Sequence, residues 1–361
     1  MIHSPLPPEP PWLTCVLVCG PFCNQYLSLP HSILFMDGQL SPCECHLLFL
    51  QVLIASGAPS ALVKLVAAVQ HAVPWSERHA YNHVEFFAGQ KAVTKAFVSK
   101  GCRALSFELK DCELLDVCSH CGYVCAILLC LRLAWGAGAL AAPVCSSWVW
   151  VSRSSTKRSL FNPLGSCRCA SVITGNEMVS KLCLLIWLLH SMGVVWLVEQ
   201  PANSLLEAHP RWQKLIATIK TWRVRIYMGD YGAESPKPTW IYAPVPWIHE
   251  IVDFRIKTEG PAMKSTVVTC TRTVDARGRV RTTGGPDLKA TQTYPEGFGA
   301  AVYQLHQRHR AESEALACEH RRACIQKMQS WSDVKTFLEQ RTEDDWSDAR
   351  IPEVMSWLRD A

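Results

Sequence analysis

The sequence predicts an α/β fold, a mostly parallel sheet with helices on both faces, plus a small β-hairpin region and a helical tail. Three observations carry this. From residue 83 onward, short strand-like apolar runs alternate with helix-length segments. The first run ends in Ala88-Gly89, a strand-to-helix turn of the kind glycine permits. The apolar stretches 123–144 and 182–198 are interrupted by Arg132, Gly136 and Gly138, and by His190 and Gly193. Each divides into a helix-length and a strand-length part, the pattern of a buried helix feeding a buried parallel strand.

In order, the pattern places strands at 83–87, 103–108, 137–143, 194–199 and 223–228, with a further strand at 239–242. Helices fall at 91–100, 122–133, 177–191 and 210–220, and a polar loop at 152–165. Beyond Trp240 the alternation stops. Residues 265–272 and 279–283 form a hairpin closed around Asp275-Ala276-Arg277-Gly278, and 294–309 return to helix. Residues 311–361 are charged and helical in pattern, with an acidic stretch at 339–348, and read as a solvated or partner-binding appendage. Residues 1–80 open Pro-rich and carry short apolar pieces and a helix at 60–73, without recognisable chemistry. The expected organisation is a leader at 1–80, a domain at 81–310 containing a small basic hairpin region at 240–288, and the tail.

Of 361 residues, 49% are hydrophobic and 19% charged, which excludes a disordered chain and supports a buried core. The net charge of +5 permits a nucleic-acid partner without arguing for one. The 18 cysteines accompany no recognisable export signal, and several sit inside apolar runs, so a reducing, intracellular compartment is expected. The interrupted apolar stretches fall short of the roughly 20 residues a bilayer needs, so no membrane partner is expected. Cys15, Cys19, Cys23, Cys43, Cys45 and His46 match no zinc module. Cys112, Cys118, His120, Cys121 and Cys125 surround the start of a core helix, and no metal is expected there either.

In an open α/β sheet, ligands lie beyond the carboxyl ends of the strands, near the point where strand order reverses. The residues after each strand are therefore the candidates. Gly89 lets the backbone approach a ligand beside a helix N-terminus. Cys145 follows Pro143 at a strand end and enters a polar loop. Glu199 ends a buried strand, a costly place for a carboxylate without a task or a basic partner. Asp116 either faces a ligand or caps the following helix. Arg153 lies in a basic, hydroxyl-rich loop that either contacts a substrate backbone or is solvated.

The run VEFFAGQKAVTKAFVSKGCRALSFELKD, residues 84–111, resembles the first motif of DNA cytosine-5 methyltransferases. The resemblance continues in order through Ala142-Pro143-Val144-Cys145, Val198-Glu199-Gln200, Gly229-Asp230-Tyr231-Gly232 and, loosely, Lys289–Val302. It covers about two thirds of the chain and implies a divergent class I methyltransferase, with a Rossmann-like fold and S-adenosyl-L-methionine as cofactor. Glu85, Phe87, Ala88, Gly89, Glu108 and Asp116 would bind the cofactor, with Glu108 on the ribose hydroxyls and Asp116 at the adenine amino group.

By the same resemblance, Cys145 would attack C6 of cytosine, because C5 alone is too weak a nucleophile, and Glu199 would face N3 and the exocyclic amine. Arg153 and Lys237 would contact the substrate. The expected partner is nucleic acid, DNA in the first place, and a nuclear location follows only from that substrate. RNA or another methyl acceptor, and a non-catalytic binding module, are the alternatives. The sequence departs from the family at Gln90 and Lys91, where glycine is usual, and at Val144 and Ser146 beside the cysteine. A pair of arginines is also missing, with Lys237 the only cation left in that segment.

Overall fold

The computed structural model describes residues 42–74, 77–256, 267–326, 334, 336, 337, 339 and 346–360. The chain divides into two units, Met1–Cys45 and His46–Ala361, and the second holds the fold described below. Cys15, Cys19, Cys23, the start of the expected hairpin and residues 340–345 of the acidic stretch lie outside the described residues.

Helices α1 (Pro42–Ala55) and α2 (Ser60–Val69) precede an alternation of β1 (Tyr81–Phe86), α3 (Ala92–Val98), β2 (Ala104–Phe107), α4 (His120–Cys130) and β3 (Leu133–Ala141). A short helix α5 (Arg153–Thr156) and the long α6 (Ala170–Ser191) lead to β4 (Val195–Pro201). Then come α7 (Pro210–Thr218), β5 (Trp222–Tyr227), β6 (Pro238–Ala243), the hairpin β7 (Cys270–Val274) and β8 (Val280–Gly284), and helices α8 (Glu296–Arg308), α9 (Arg310–Gln326) and α10 (Ile351–Asp360). The sheet runs β2-β1-β3-β4-β6-β5, with β2, β1, β3 and β4 parallel and β6 antiparallel to both its neighbours. Strand order reverses between β1 and β3, so a crevice is expected above that pair.

Alternation along each strand sends side chains to opposite faces. Val84, Phe86, Ala139, Ala141, Trp196 and Val198 pack in one core with α2, α4 and α6. Leu140, Val195, Leu197, Val224, Ile226 and Ile241 pack in the other with α3 and α8. Both faces of the parallel strands are therefore covered, as their near-continuous apolar sequences require. Fully burying a Val, Leu or Ile side chain contributes roughly 1.5–3 kcal/mol, and α6 alone buries Val179, Leu182, Leu184, Leu185, Ile186, Leu188 and Leu189. Helix α6 is also long and apolar enough to cross a membrane, yet 72% of its most apolar window is buried inside this domain.

The domain reaches further in both directions than the 81–310 span read from the sequence. On the N-terminal side, Leu53, Leu62, Val63, Leu65 and Val66 lie in the first core. On the C-terminal side, Trp346, Ala349, Ile351 and Val354 lie in the same core. Ala317 of α9 approaches Gly193 so closely that a Cβ there would come within 2.5 Å of Ala317 Cβ. The tail is therefore not a solvated appendage over these residues. Its acidic side chains hid this: Asp348 is held by Arg211, with Nε at 3.0 Å, and by Ser180 Oγ at 2.6 Å. A charge that docks a segment looks, in sequence, like a charge that solvates it.

Candidate active site

Glu85, near the end of β1, is buried and does not line the cleft. Its Oε2 accepts from Thr94 N and Thr94 Oγ1, both at 2.7 Å, which ties the strand to the first turn of α3. Burial pushes its carboxyl above the ordinary range, while the two Thr94 bonds act against that. The turn between β1 and α3 is unusually left-handed: Phe87, Gly89 and Lys91 have φ of 57°, 51° and 60°. For the two that are not glycine this costs of order 1–3 kcal/mol each. Phe87 N donates to Phe107 O at 2.9 Å and Lys91 N to Ala88 O at 2.7 Å, which hold the conformation.

Glu108, just past β2, reaches back to this turn. Its Oε2 accepts from Gly89 N at 2.8 Å and its Oε1 from Lys110 N at 3.2 Å. Each oxygen has a second lone pair, and Glu108 lines the cleft above the turn. A Cβ placed on Gly89 would meet nothing within 4 Å, so the backbone there faces open space. Asp116 also lines the cleft. Its Oδ1 accepts from Cys118 N at 2.9 Å, ahead of the following helix, whose N-cap is Ser119 instead: Ser119 Oγ accepts from Gly122 N at 2.9 Å.

Beyond β3, Pro143 O accepts from the buried Gln200 Nε2 at 2.8 Å, and Gln200 Oε1 accepts from Ser204 Oγ at 2.9 Å. The carbonyl of Cys145 is then capped by Trp148 N at 2.8 Å and Val149 N at 3.2 Å, which turns the chain into a compact bend. Burial, and next the Glu199 carboxylate, push the Cys145 thiol up from its ordinary value, while Lys237 draws it down. Glu199, at the end of β4, is only 4% exposed, and its Oε1 lies 3.4 Å from Lys237 Nζ. Lys237 sits between Pro236 and Pro238 with φ of 30°, and its ammonium lies 5.1 Å from the centre of the Tyr294 ring. Burial and the neighbouring Glu199 push the Tyr294 phenol well above its ordinary value.

A single cleft of about 1170 Å³ is bordered by Phe87, Ala88, Gly89, Glu108 and Asp116 on one side and by Cys145, Glu199 and Lys237 on the other. It lies at the carboxyl ends of β1 to β4, at the reversal of strand order. Its volume exceeds the range usual for one small ligand, roughly 300–1,000 Å³. Of the ten residues singled out in the sequence, Glu85 and Arg153 are not on its wall. Glu85 lies beneath the turn, and Arg153 opens α5 outside the cleft.

The basic loop after Cys145 also differs from expectation. Arg158 is buried, its guanidinium 3.4 Å from the centre of a Trp148 ring, and donates to Asn176 Oδ1 at 2.8 Å, Val172 O at 3.2 Å and Ser147 Oγ at 3.3 Å. It anchors the loop instead of facing a ligand, and burial lowers its pKa to about 10. Tyr294 was missed as a site residue because its only signal in the sequence is the Tyr-Pro turn before α8.

Among the described residues, no group of three or more His, Cys, Asp or Glu side chains is placed to hold a metal. A hairpin is present as β7 and β8, its first strand beginning at Cys270 and not at 265; it is a separate ribbon with Val274 opposite Val280 and all of β7 exposed. Its turn is fixed by Asp275, whose Oδ1 accepts from Arg277 N and Arg279 N at 2.9 and 3.0 Å. No protein-family model matches the sequence, and no curated protein matches it significantly.

Proposed function

We propose that this protein is an S-adenosylmethionine-dependent methyltransferase whose acceptor is C5 of a cytosine in nucleic acid. The observation that carries the reading is the single cleft, which joins the glycine turn and two carboxylates on one wall to a cysteine, a glutamate and a lysine on the other. The first wall fits a nucleoside-bearing cofactor. Gly89 offers open backbone, Glu108 offers acceptor lone pairs for hydroxyls, Asp116 can accept from an amino group, and Phe87, Phe107, Leu115 and Val117 supply apolar contact. The cofactor would supply a methyl group on a sulfonium.

On the second wall, the Cys145 thiolate adds to C6 of the base, forming an S–C bond and making the ring an enamine. C5 of that ring accepts the methyl group; loss of the C5 proton to a base and departure of the Cys145 sulfur then restore the aromatic ring. Glu199 faces N3 and the exocyclic amine, and Lys237, beside it, is the cation at hand for a neighbouring phosphate. Since the target atom is hidden inside a duplex, a base must be unstacked to reach Cys145.

The test has two stages. Calorimetric titration with S-adenosylmethionine should show binding that Glu108→Ala abolishes. DNA or RNA containing 5-fluorocytosine should then form a covalent adduct with wild type and none with Cys145→Ser. A folded protein that binds no cofactor sinks the reading at the first stage; cofactor binding without an adduct on either polymer moves it to another methyl acceptor.

A further inference from the structure

We propose that the face at the β5 edge of the sheet, uncovered among the described residues, is a track for single-stranded nucleic acid leading into the cleft. This rests on reading the cleft as a nucleobase site. Along β5, Val224 and Ile226 point into the second core, whereas Arg223, Arg225 and Tyr227 are exposed on the opposite face. The antiparallel register with β6 sets Tyr242 opposite Arg223 and Trp240 opposite Arg225, so cations and aromatic rings alternate on one surface. The Arg223 guanidinium lies 4.5 Å from the centre of the Trp240 ring, and that of Arg225 lies 5.5 Å from the Tyr227 ring.

The surface is covered at one end and open at the other. Trp212 of α7 packs edge-on against Tyr242 at 5.2 Å, and Glu207 accepts from Arg223 at 2.6 Å. Arg225 and Tyr227 lie further along β5, toward the carboxyl ends of the parallel strands, and Arg225 lines the cleft together with Lys237 and Pro238. The track therefore runs into the wall that carries Glu199 and Cys145.

A row of arginines interleaved with aromatic rings suits a polymer that alternates phosphates with planar bases. The bases must be unpaired and unstacked for a face to meet the exposed Tyr227 ring, and so the fit is to a single strand. A duplex buries those faces within its stack. The competing explanation is that edge-strand arginines merely prevent another chain from pairing with the sheet.

The test uses the full chain without cofactor and fluorescein-labelled oligodeoxycytidine of about 12 nucleotides, within the site sizes of single-strand grooves. Oligoribocytidine of the same length and a blunt dC·dG duplex form the other arms, and the two sugars identify which polymer the track takes. Either single strand should bind more tightly than the duplex. Tyr227→Leu should weaken that binding about 5- to 150-fold, and Tyr227→Trp should retain it. Arg225→Gln should lower the slope of log affinity against log salt by about 0.7, one phosphate contact. Wild-type binding by both Tyr227→Leu and Arg225→Gln, or a duplex bound as tightly as the single strands, overturns the proposal. So does a shift in unfolding midpoint alone. Single-strand binding through Tyr227 in a chain that takes no S-adenosylmethionine would sink the methyltransferase reading and leave the track standing. An adduct on duplex DNA that neither variant affects would do the reverse.

Discussion

Replacing Gly89 by alanine separates the strength of the turn from its use. With φ of 51°, the residue occupies the left-handed region, and a Cβ there costs about 1–2 kcal/mol in backbone energy. No steric cost adds to this, since the new methyl would meet nothing within 4 Å. The backbone N–H, already given to Glu108, is unchanged by the substitution. The fold should therefore survive, losing about 1–2 kcal/mol of the 5–15 kcal/mol typical of a domain. The methyl group, however, would occupy the space in which a cofactor must approach the backbone. Urea unfolding should report the small loss of stability, and calorimetry should report S-adenosylmethionine binding weakened at least tenfold, a difference of about 1.4 kcal/mol. A variant destabilised as described that binds the cofactor like wild type would refute the placement of the ligand over this turn.

Other expectations follow from the same geometry. Trp346→Ala removes a fully buried ring packed against Trp187 and beneath Arg211; it should cost about 3–5 kcal/mol by urea unfolding, and a loss below about 1 kcal/mol would show the tail to be undocked. Alkylation of Cys145 by iodoacetamide, followed by mass spectrometry, should titrate above the ordinary thiol value of about 8.5, with Glu199→Gln moving the midpoint down and Lys237→Met moving it up. No change in Glu199→Gln would remove that carboxylate from the thiol's surroundings. Burial tends to raise the Asp348 carboxyl, but hydrogen bonds from Arg211 and Ser180 outweigh it and hold the carboxyl below its usual value. Its stabilisation is therefore complete above the unfolded value, about 3.9, and is lost as pH falls through the lower folded value. Asp348→Asn should abolish that acid limb in urea midpoints measured against pH, and parallel profiles would contradict it.

The sheet was legible because buried parallel strands read as apolar runs, and every strand from β1 to β6 lies within two residues of the sequence reading except the start of β3. There Leu133 reads as the end of a helix and residues 134–136 as a connection, since a short apolar run carries no period of its own. The N-terminal part of α6 was also missed. Asn176 and Ser171 look like loop residues, yet Asn176 accepts from Arg158 and the helix begins at Ala170. Cys145 and Glu199 could be found because strand ends mark the ligand edge of such a sheet. Glu85 was placed on the wrong side of its turn: a strand puts successive side chains on opposite faces, and Glu85 points beneath α3. Tyr294 and the face of β5 depend on register between distant segments, which neither composition nor spacing reveals.

The packing of the tail against α6 bears on the order in which the chain can fold. Helix α6 is complete once residue 191 is made, but Trp346 and Asp348, which pack against its Trp187 and Ser180, come some 155 residues later. At synthesis rates of about 5–20 residues per second, that contact waits roughly 8 to 30 seconds. During this interval the nascent chain displays a 22-residue helix apolar enough to enter a bilayer. Native burial of that helix therefore waits on residues made long after it.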